Sequence, residues 1–366
     1  MYLATLLLAV PAFPTWAQVT TPADPAPAPS SESVDAANLA YHEWLKGLPA
    51  DYGGPMHVDF AVKVKTNFLD EFSSESVSFD LRMVSDIQDI HRMRHTFTGS
   101  FREEGSGQSV EFSATIMMDG TNFWVLVKSN DDEFIPDGGF LAKGDQKMLE
   151  GLYHLYIEAV PAMMSLMEEE GIGMDAGLIS STMNSAMTMM PKEIGGYLHP
   201  AAYFRSTAPA LGCRTFRHEG DSVLAEMYLD LSPDSMFGEM IASFDEMFSE
   251  ILEDEGFDFG DMMHKMFASF LMNAEFDAAT GVTTGIAMDW KFDFADVGLE
   301  DEGESLHLIV DGKGSVQRLD AIDESLFAAP KSADKAMDVT MFLQMAKSQL
   351  EGMMSEVAGE EEDMAF

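Results

Sequence analysis

The sequence predicts an α+β fold in which a curved antiparallel sheet, forming an incomplete β-barrel, is covered by amphipathic helices. Three observations lead to this fold class. Apolar residues recur at every second position between Met56 and Lys128, they do so again after Thr215, and amphipathic helical patterns lie between and after the two sets. The apolar sides of the strands and of the helices must be buried against each other, so we expect a single sheet packed on helices.

The first set of strands is a predicted β-meander. Its first strand places apolar side chains on one face and polar ones on the other: Met56, Val58, Phe60, Val62 and Val64 against His57, Asp59, Lys63 and Lys65. Similar alternation predicts strands at Val77 to Met83, Met93 to Phe101 and Val110 to Met118. Asp119-Gly120 then favours a tight hairpin turn, after which Phe123 to Val127 returns antiparallel.

The second set of strands begins with a hairpin. Thr215 to His218 and Val223 to Leu231 are its predicted strands, joined by Glu219-Gly220-Asp221. The longest predicted strand of the chain runs from Val282 to Phe294. Two further strands, at 306–310 and 316–319, flank the sequence Asp-Gly-Lys-Gly at 311–314, which is typical of a turn.

Helical periodicity predicts the elements that cover the sheet. A short helix from Asp35 to Lys46 would place Tyr41 and Trp44 against the meander. A long helix begins at Asp145 and must kink or break at Pro161, and others are expected at 176–190, after Ser232 and at 261–272. Ser332 would cap a C-terminal helix whose inward side chains are Met337, Met341, Phe342, Met345, Leu350 and Met353.

The ends of the chain predict export. Residues 1–17 have the features of a signal peptide, with a short apolar run and Ala17 at the cleavage position. The proline-rich residues 18–34 predict a disordered linker, residues 35–358 a single α+β half-barrel domain, and residues 359–366 an acidic tail. We therefore expect a periplasmic or secreted protein. No stretch suits a transmembrane segment, and the single cysteine permits no disulfide.

The charge balance restricts the partners. With 21 basic and 63 acidic residues, the formal net charge is −42. Such a surface repels phosphate backbones and anionic lipid headgroups, which argues strongly against nucleic acid and against electrostatic membrane docking. It would attract cations or a basic protein partner, and in a salty medium it would mainly keep the protein soluble.

No motif predicts catalysis, a cofactor or a metal site. His91 and His95 would lie about 13 Å apart along one strand, which is too far for one ion. A loop from Asp293 to Glu304 lacks the third and fifth ligands of an EF-hand. A neighbouring arginine favours a reactive thiolate at Cys213, whereas burial favours an inert thiol. We expect no enzymatic activity and no metal or cofactor.

The order of elements resembles the periplasmic lipoprotein-carrier (outer-membrane lipoprotein sorting) superfamily. The matching features are the export signal, the helix Asp35 to Lys46, the strands from Met56, and the hairpin at 277–281 with its strand to Phe294. The resemblance implies a strongly curved, incomplete barrel that holds helices in its mouth and binds acyl chains between them. This chain differs from the carriers in its length, methionine-rich helices and acidity.

Thirty methionines allow three interpretations, namely an ordinary core, an adaptable apolar pocket, or soft Cu(I) ligands. We expect an exported, non-enzymatic binding protein that encloses an apolar ligand, a lipid or lipid-modified partner, between the sheet and the methionine-rich helices. The alternative is an acidic structural or protein-interaction module with a solid core and no ligand. The predicted ligand-lining residues are Phe60, Val62, Phe79, Leu81, Phe97, Phe112, Trp290 and Phe292.

Overall fold

The computed structural model describes residues 31–49, 54–66, 77–103, 109–130, 139–156, 194–233, 235, 237–239, 241–242, 259–293, 300–301, 304–305 and 307–364. Its strands are β1 Met56–Thr66, β2 Val77–Asp89, β3 Arg92–Glu103, β4 Ser109–Asp119, β5 Asn122–Ser129, β6 Gly139–Asp145, β7 Leu211–Glu219, β8 Ser222–Leu229, β9 Leu271–Asp277, β10 Thr283–Asp293, β11 Glu300–Asp301, β12 Glu304–Ser305, β13 His307–Arg318 and β14 Met337–Asp338. Its helices are α1 Ser31–Gly47, α2 at 146–156, α3 Ile194–Leu198, α4 Pro200–Thr207, α5 Phe259–Ala268 and α6 Thr340–Met364. The predicted α+β class is confirmed.

Twelve of these strands form one open, curved sheet in the order β14-β6-β5-β4-β3-β2-β1-β13-β10-β9-β8-β7. The pairs within it are antiparallel except for β14, which runs parallel to β6, so the sheet is mixed. Two meanders, β1–β6 and β7–β10, meet at β13, which pairs with β1 on one side and β10 on the other. Strands β11 and β12 form a separate pair.

The predicted hairpin turns are confirmed where glycine takes a positive φ. Gly120 has φ +89° and Gly220 has φ +63°, a conformation that costs glycine little because it has no Cβ. At the first turn the Asp119 carboxylate accepts hydrogen bonds from the main-chain N–H groups of Thr121 at 2.8 Å and Asn122 at 2.6 Å. These local contacts fix the register of β4 and β5.

The predicted turn at 311–314 is wrong, because β13 continues through it as one strand of 12 residues. Its glycines make room for large neighbours instead. Gly314 lies opposite Phe60 in the register, and a Cβ at Gly312 would come within 3.1 Å of the Met288 side chain and 3.6 Å of the Phe60 ring. Close packing against the Met288 side chain, and not a turn, therefore accounts for the glycine at position 312.

Several predicted element boundaries also change. Helix α5 ends at Ala268, and residues 271–277, predicted partly as helix, form β9 between β8 and β10. Strand β6, which no sequence pattern predicted, extends the meander by one strand. Helix α1 begins at Ser31, inside the predicted linker, and α6 begins at Thr340, where the Asp338 carboxylate accepts the main-chain N–H at 2.9 Å.

The prediction that helix α1 lies against the β1–β6 meander is wrong, because it packs across the β7–β9 end of the sheet. Its apolar stripe identifies the buried face of the helix but not the strands that it covers. The Tyr41 side chain is fully buried, and its hydroxyl donates to the main-chain oxygen of Ala208 at 3.2 Å. The Trp44 indole N–H donates to the Ala278 oxygen at 3.0 Å. The ring centroids of Trp44 and Phe276 are 5.2 Å apart, so α1 closes this end of the apolar face.

Some predictions fall outside the described residues, namely the signal peptide at 1–17, the break at Pro161 and the helix at 176–190. Helical residues 237–239 and 241–242 lie within the helix predicted after Ser232. Helix α6 continues to Met364, so the described part of the predicted acidic tail is helical. None of the helices in the described ranges combines the length and hydropathy needed to cross a membrane.

Candidate functional site

The apolar face of β1–β6 is fully closed at the end that carries the β2–β3 and β4–β5 turns. Met56, Ile87, Met93 and Met118 are successive neighbours across this end, and each is at most 1% exposed. Helix α2 begins beside both turns, because the Gln146 amide accepts from the Gly120 N–H at 3.0 Å and donates to the His91 oxygen at 3.1 Å. We call this region the closed end.

The opposite end of the same face is only partly covered. We define the open end as Phe79, Leu81, Phe101, Phe112 and Phe140, which lie on the apolar face of β2, β3, β4 and β6. The first four are half-buried, and Phe140 is 47% exposed. The rings of Phe79 and Phe101 pack with centroids 5.2 Å apart. Large apolar side chains therefore remain in reach of solvent here.

The eight predicted lining residues fall into two groups. Phe60, Val62 and Phe292 are buried, at 4%, 2% and 6% exposure, and Phe97 and Trp290 are partly buried against the main apolar core. The indole N–H of Trp290 donates to the Met266 main-chain oxygen at 3.0 Å. The other three, Phe79, Leu81 and Phe112, belong to the open end. The structure thus brings only these three together at a partly exposed apolar surface.

A shallow groove of about 640 Å³ crosses five strands of the meander. Three consecutive residues of each strand line it: Ala61–Lys63, Asp80–Arg82, Thr98–Ser100, Glu111–Ser113 and Lys128–Asn130. The middle residues are direct neighbours in the register, from Val62 on β1 to Ser129 on β5. If the groove lay on the apolar face, the neighbouring apolar residues along each strand, such as Phe60 and Phe79, would form its walls. Neither residue lines the groove.

The walls of the groove therefore come from side chains that point to the polar face, and its floor is the main chain of the middle residues. Charges line it in pairs. Lys63 lies 3.6 Å from Asp80, and Arg82 forms a bidentate pair with Asp59. Hydrogen bonding from Arg82 lowers the pKa of the Asp59 carboxyl. Three of the eight predicted lining residues, Val62, Leu81 and Phe112, are the middle residues of their strands in this groove.

A polar pair is buried within the apolar face near the closed end. The Ser85 hydroxyl and His95 Nδ1 lie 2.6 Å apart, and the two residues are 0% and 1% exposed. His95 Nε2 is buried with no hydrogen-bond partner. Burial, with His199 nearby, lowers the pKa of His95 to about 3, so the ring stays neutral. The alternation Met93, His95, Phe97 indicates the buried face, but only the register identifies Ser85 as the partner.

His91 and His95, which were predicted to lie on one strand, are on different elements. His91 lies in the turn after β2, exposed, with its Nδ1 3.3 Å from a Glu150 oxygen. The turn forms because the Asp89 carboxylate accepts the His91 main-chain N–H at 2.8 Å. In the described part of the chain, no group of three His, Cys, Asp or Glu side chains is placed to hold a metal ion.

The one cysteine is an inert thiol. Cys213 is fully buried, and burial raises its pKa to about 12. Its Sγ donates to the Thr215 main-chain oxygen at 3.1 Å, while Arg214 points away to Glu226 at 3.3 Å. Of the two readings that the sequence left open, burial is correct, since Cys213 lies in the core while Arg214, at an irregularity between Cys213 and Thr215, pairs with Glu226.

The C-terminal segment exposes apolar side chains that were predicted to face inward. Met337, Met341, Phe342 and Met345 are 59%, 71%, 69% and 55% exposed, and we call them the methionine surface. The inward residue of α6 is Leu343, 7% exposed and part of the main apolar core. The prediction was wrong because the apolar residues of this segment surround the helix, so their spacing does not select one face.

No protein-family model and no curated protein matches the chain. The function must therefore be argued from the geometry of its surfaces.

Proposed function

We propose that this is an exported, non-enzymatic binding protein that takes up an apolar ligand, a lipid or lipid-modified partner, at the open end of its curved sheet. The observation that supports the proposal is the difference between the two ends of one apolar face. Four neighbours at the closed end are at most 1% exposed, whereas Phe140 at the open end is 47% exposed. Half-exposed aromatic rings beside a closed core suit an acyl chain.

The position of the ligand follows from the same difference. Of the eight predicted lining residues, three are buried and two more pack against the main core, so the proposed site contains the remaining three, Phe79, Leu81 and Phe112. The proposal includes the half-barrel shape with helices in its mouth, as the lipoprotein-carrier resemblance implies, and a cover of methionine-rich helices, which the carriers lack. An uncharged or lipid-anchored ligand fits best, because a net charge of −42 disfavours anionic headgroups.

The test is a binding titration with a pyrene-labelled diacylglycerol, whose headgroup is uncharged, together with native mass spectrometry for co-purified lipid. Leu81→Gln should weaken probe binding about ten-fold, because a polar amide replaces apolar surface worth one to two kcal/mol. Leu39→Gln is the matched control, since Leu39 is 64% exposed on α1, remote from the open end. Equal affinity in both variants, or no probe binding by the wild type, would contradict the proposal.

The methionine surface favours a second candidate function, a protein-interaction module. Contiguous exposed apolar side chains on a folded protein typically mark contact sites, and Met341, Phe342 and Met345 are neighbours on one helix. A photo-crosslinking residue at position 342 should then give a discrete adduct with one partner in cells, and the same residue at position 39 should not. Identical adduct patterns at both positions would rule out this candidate.

A further inference from the structure

Among the described residues, two groups of methionines lie in opposite environments. Met56, Met93, Met118 and Met227, on strands within the sheet, are each at most 1% exposed. Three others, Met337, Met341 and Met345, lie within nine residues of the C-terminal segment and are 55% to 71% exposed. One chain therefore presents chemically identical thioethers either sealed in the core or open to solvent.

This separation has a chemical consequence. A peroxide oxidises a thioether by transferring one oxygen atom to the sulfur, which becomes a sulfoxide, while the peroxide is reduced to water or an alcohol. The reaction requires contact between the peroxide and the sulfur lone pair, so exposure controls its rate. The product is polar and accepts hydrogen bonds, and an apolar surface that contains three sulfoxides is no longer apolar.

We propose that Met337, Met341 and Met345 form an oxidation site, at which peroxides convert the methionine surface from apolar to polar while the sheet keeps its fold. Selectivity follows from burial, because Met56, Met93, Met118 and Met227 cannot be reached without unfolding. Tolerance follows from position, because the side chains of Leu343 and Val339, not those of the three exposed methionines, pack on the core, and Met337 is held in β14 by its main chain. The proposal concerns the methionine surface and does not depend on a ligand at the open end.

The experiment treats the folded full-length protein with hydrogen peroxide and follows each methionine by peptide mass spectrometry. Met337, Met341 and Met345 should oxidise at least about ten-fold faster than Met56, Met93, Met118 and Met227. Circular dichroism of the oxidised protein should be unchanged. Oxidation of the exposed and core methionines at equal rates in the folded protein would overturn the proposal.

The second measurement asks whether oxidation changes the surface. Nile red, an uncharged dye, reports apolar surface without repulsion by the net charge of −42. The M337L/M341L/M345L variant replaces each thioether by a side chain of similar volume that peroxide does not attack. Peroxide should lower dye binding in the wild type but not in this variant, and a methionine sulfoxide reductase should restore it. Equal losses in both proteins, or no loss in the wild type, would overturn the proposal.

Discussion

His95 is the residue whose surroundings differ most from those of a histidine in water. Its ring is buried beside Ser85, and its pKa falls to about 3 because burial disfavours the charged form. His199 caps α4 by accepting the Ala202 N–H at 3.4 Å, and burial lowers its pKa to about 4. Asp89 raises the pKa of His199 and Arg205 lowers it. Neither ring can take a proton without cost to the fold.

These pKa values predict acid destabilisation. A histidine in the unfolded chain binds a proton below about pH 6.5, while folded His95 remains neutral to about pH 3. The stabilisation is therefore complete above pH 6.5 and declines as the pH falls, by about 1.4 kcal/mol per pH unit for this residue. Urea unfolding between pH 7 and pH 4.5 measures the slope.

The S85A/H95L variant removes the titrating ring and its hydroxyl partner together, so it leaves no buried hydroxyl unpaired. Its unfolding free energy should fall less steeply with acid than that of the wild type, by about 1.4 kcal/mol per pH unit. His218→Gln is the control because His218 is exposed. If S85A/H95L and wild type lose stability in parallel, His95 is not the acid-sensitive group.

Besides Gly314 opposite Phe60, three strand glycines each lie opposite an aromatic residue on the neighbouring strand. The pairs are Gly99 with Phe112, Gly144 with Phe123, and Gly212 with Tyr228. In each pair the aromatic ring lies over the glycine, where a Cβ would overlap it. Glycine leaves room for the ring at these positions and does not end the strand. The ring in turn covers the glycine main chain, which has no side chain of its own to shield it.

Gly99→Ala should therefore destabilise the protein by about 1–3 kcal/mol, because the added methyl group overlaps Phe112 and comes within 3.1 Å of the Asp80 main-chain oxygen. Gly151→Ala in α2 is the matched control, since its Cβ meets nothing within 4 Å. That change should stabilise the helix by up to about 1 kcal/mol. Thermal unfolding of both variants tests the prediction, and a neutral Gly99→Ala would contradict it.

The strands and their hairpin turns could be predicted because period-two alternation and Asp-Gly turns are local signals. Strand β9 was missed because Phe267 and Leu271 also fit a helical spacing. The long strand through residues 311–314 was missed because its glycines lie beside Met288 and Phe60 on other strands, which local sequence does not reveal. The open end was partly predicted, since alternation identifies Phe79 and Leu81 as apolar-face residues but cannot state how far a neighbouring element covers them.

At the scale of the whole molecule, the net charge of −42 opposes folding, because compaction brings the carboxylates together. Raising NaCl from about 0.1 M to about 1 M shortens the Debye length from about 10 Å to about 3 Å. Urea unfolding at pH 7 should show a higher unfolding free energy in the higher salt. Choline chloride should act equally if screening is responsible, and stabilisation by sodium alone would indicate specific ion binding instead.

The strand order also has a consequence for biosynthesis. Among the described strands, β13 alone joins the two meanders, and its register pairs Met56 with Arg318. During synthesis, β1 lacks β13 as a neighbour until residue 318 has left the ribosome. Pairings between strands so far apart in the sequence form late. The sheet can thus be joined into one only after residue 318 has been synthesised, whereas the hairpins of β1–β6 pair without it.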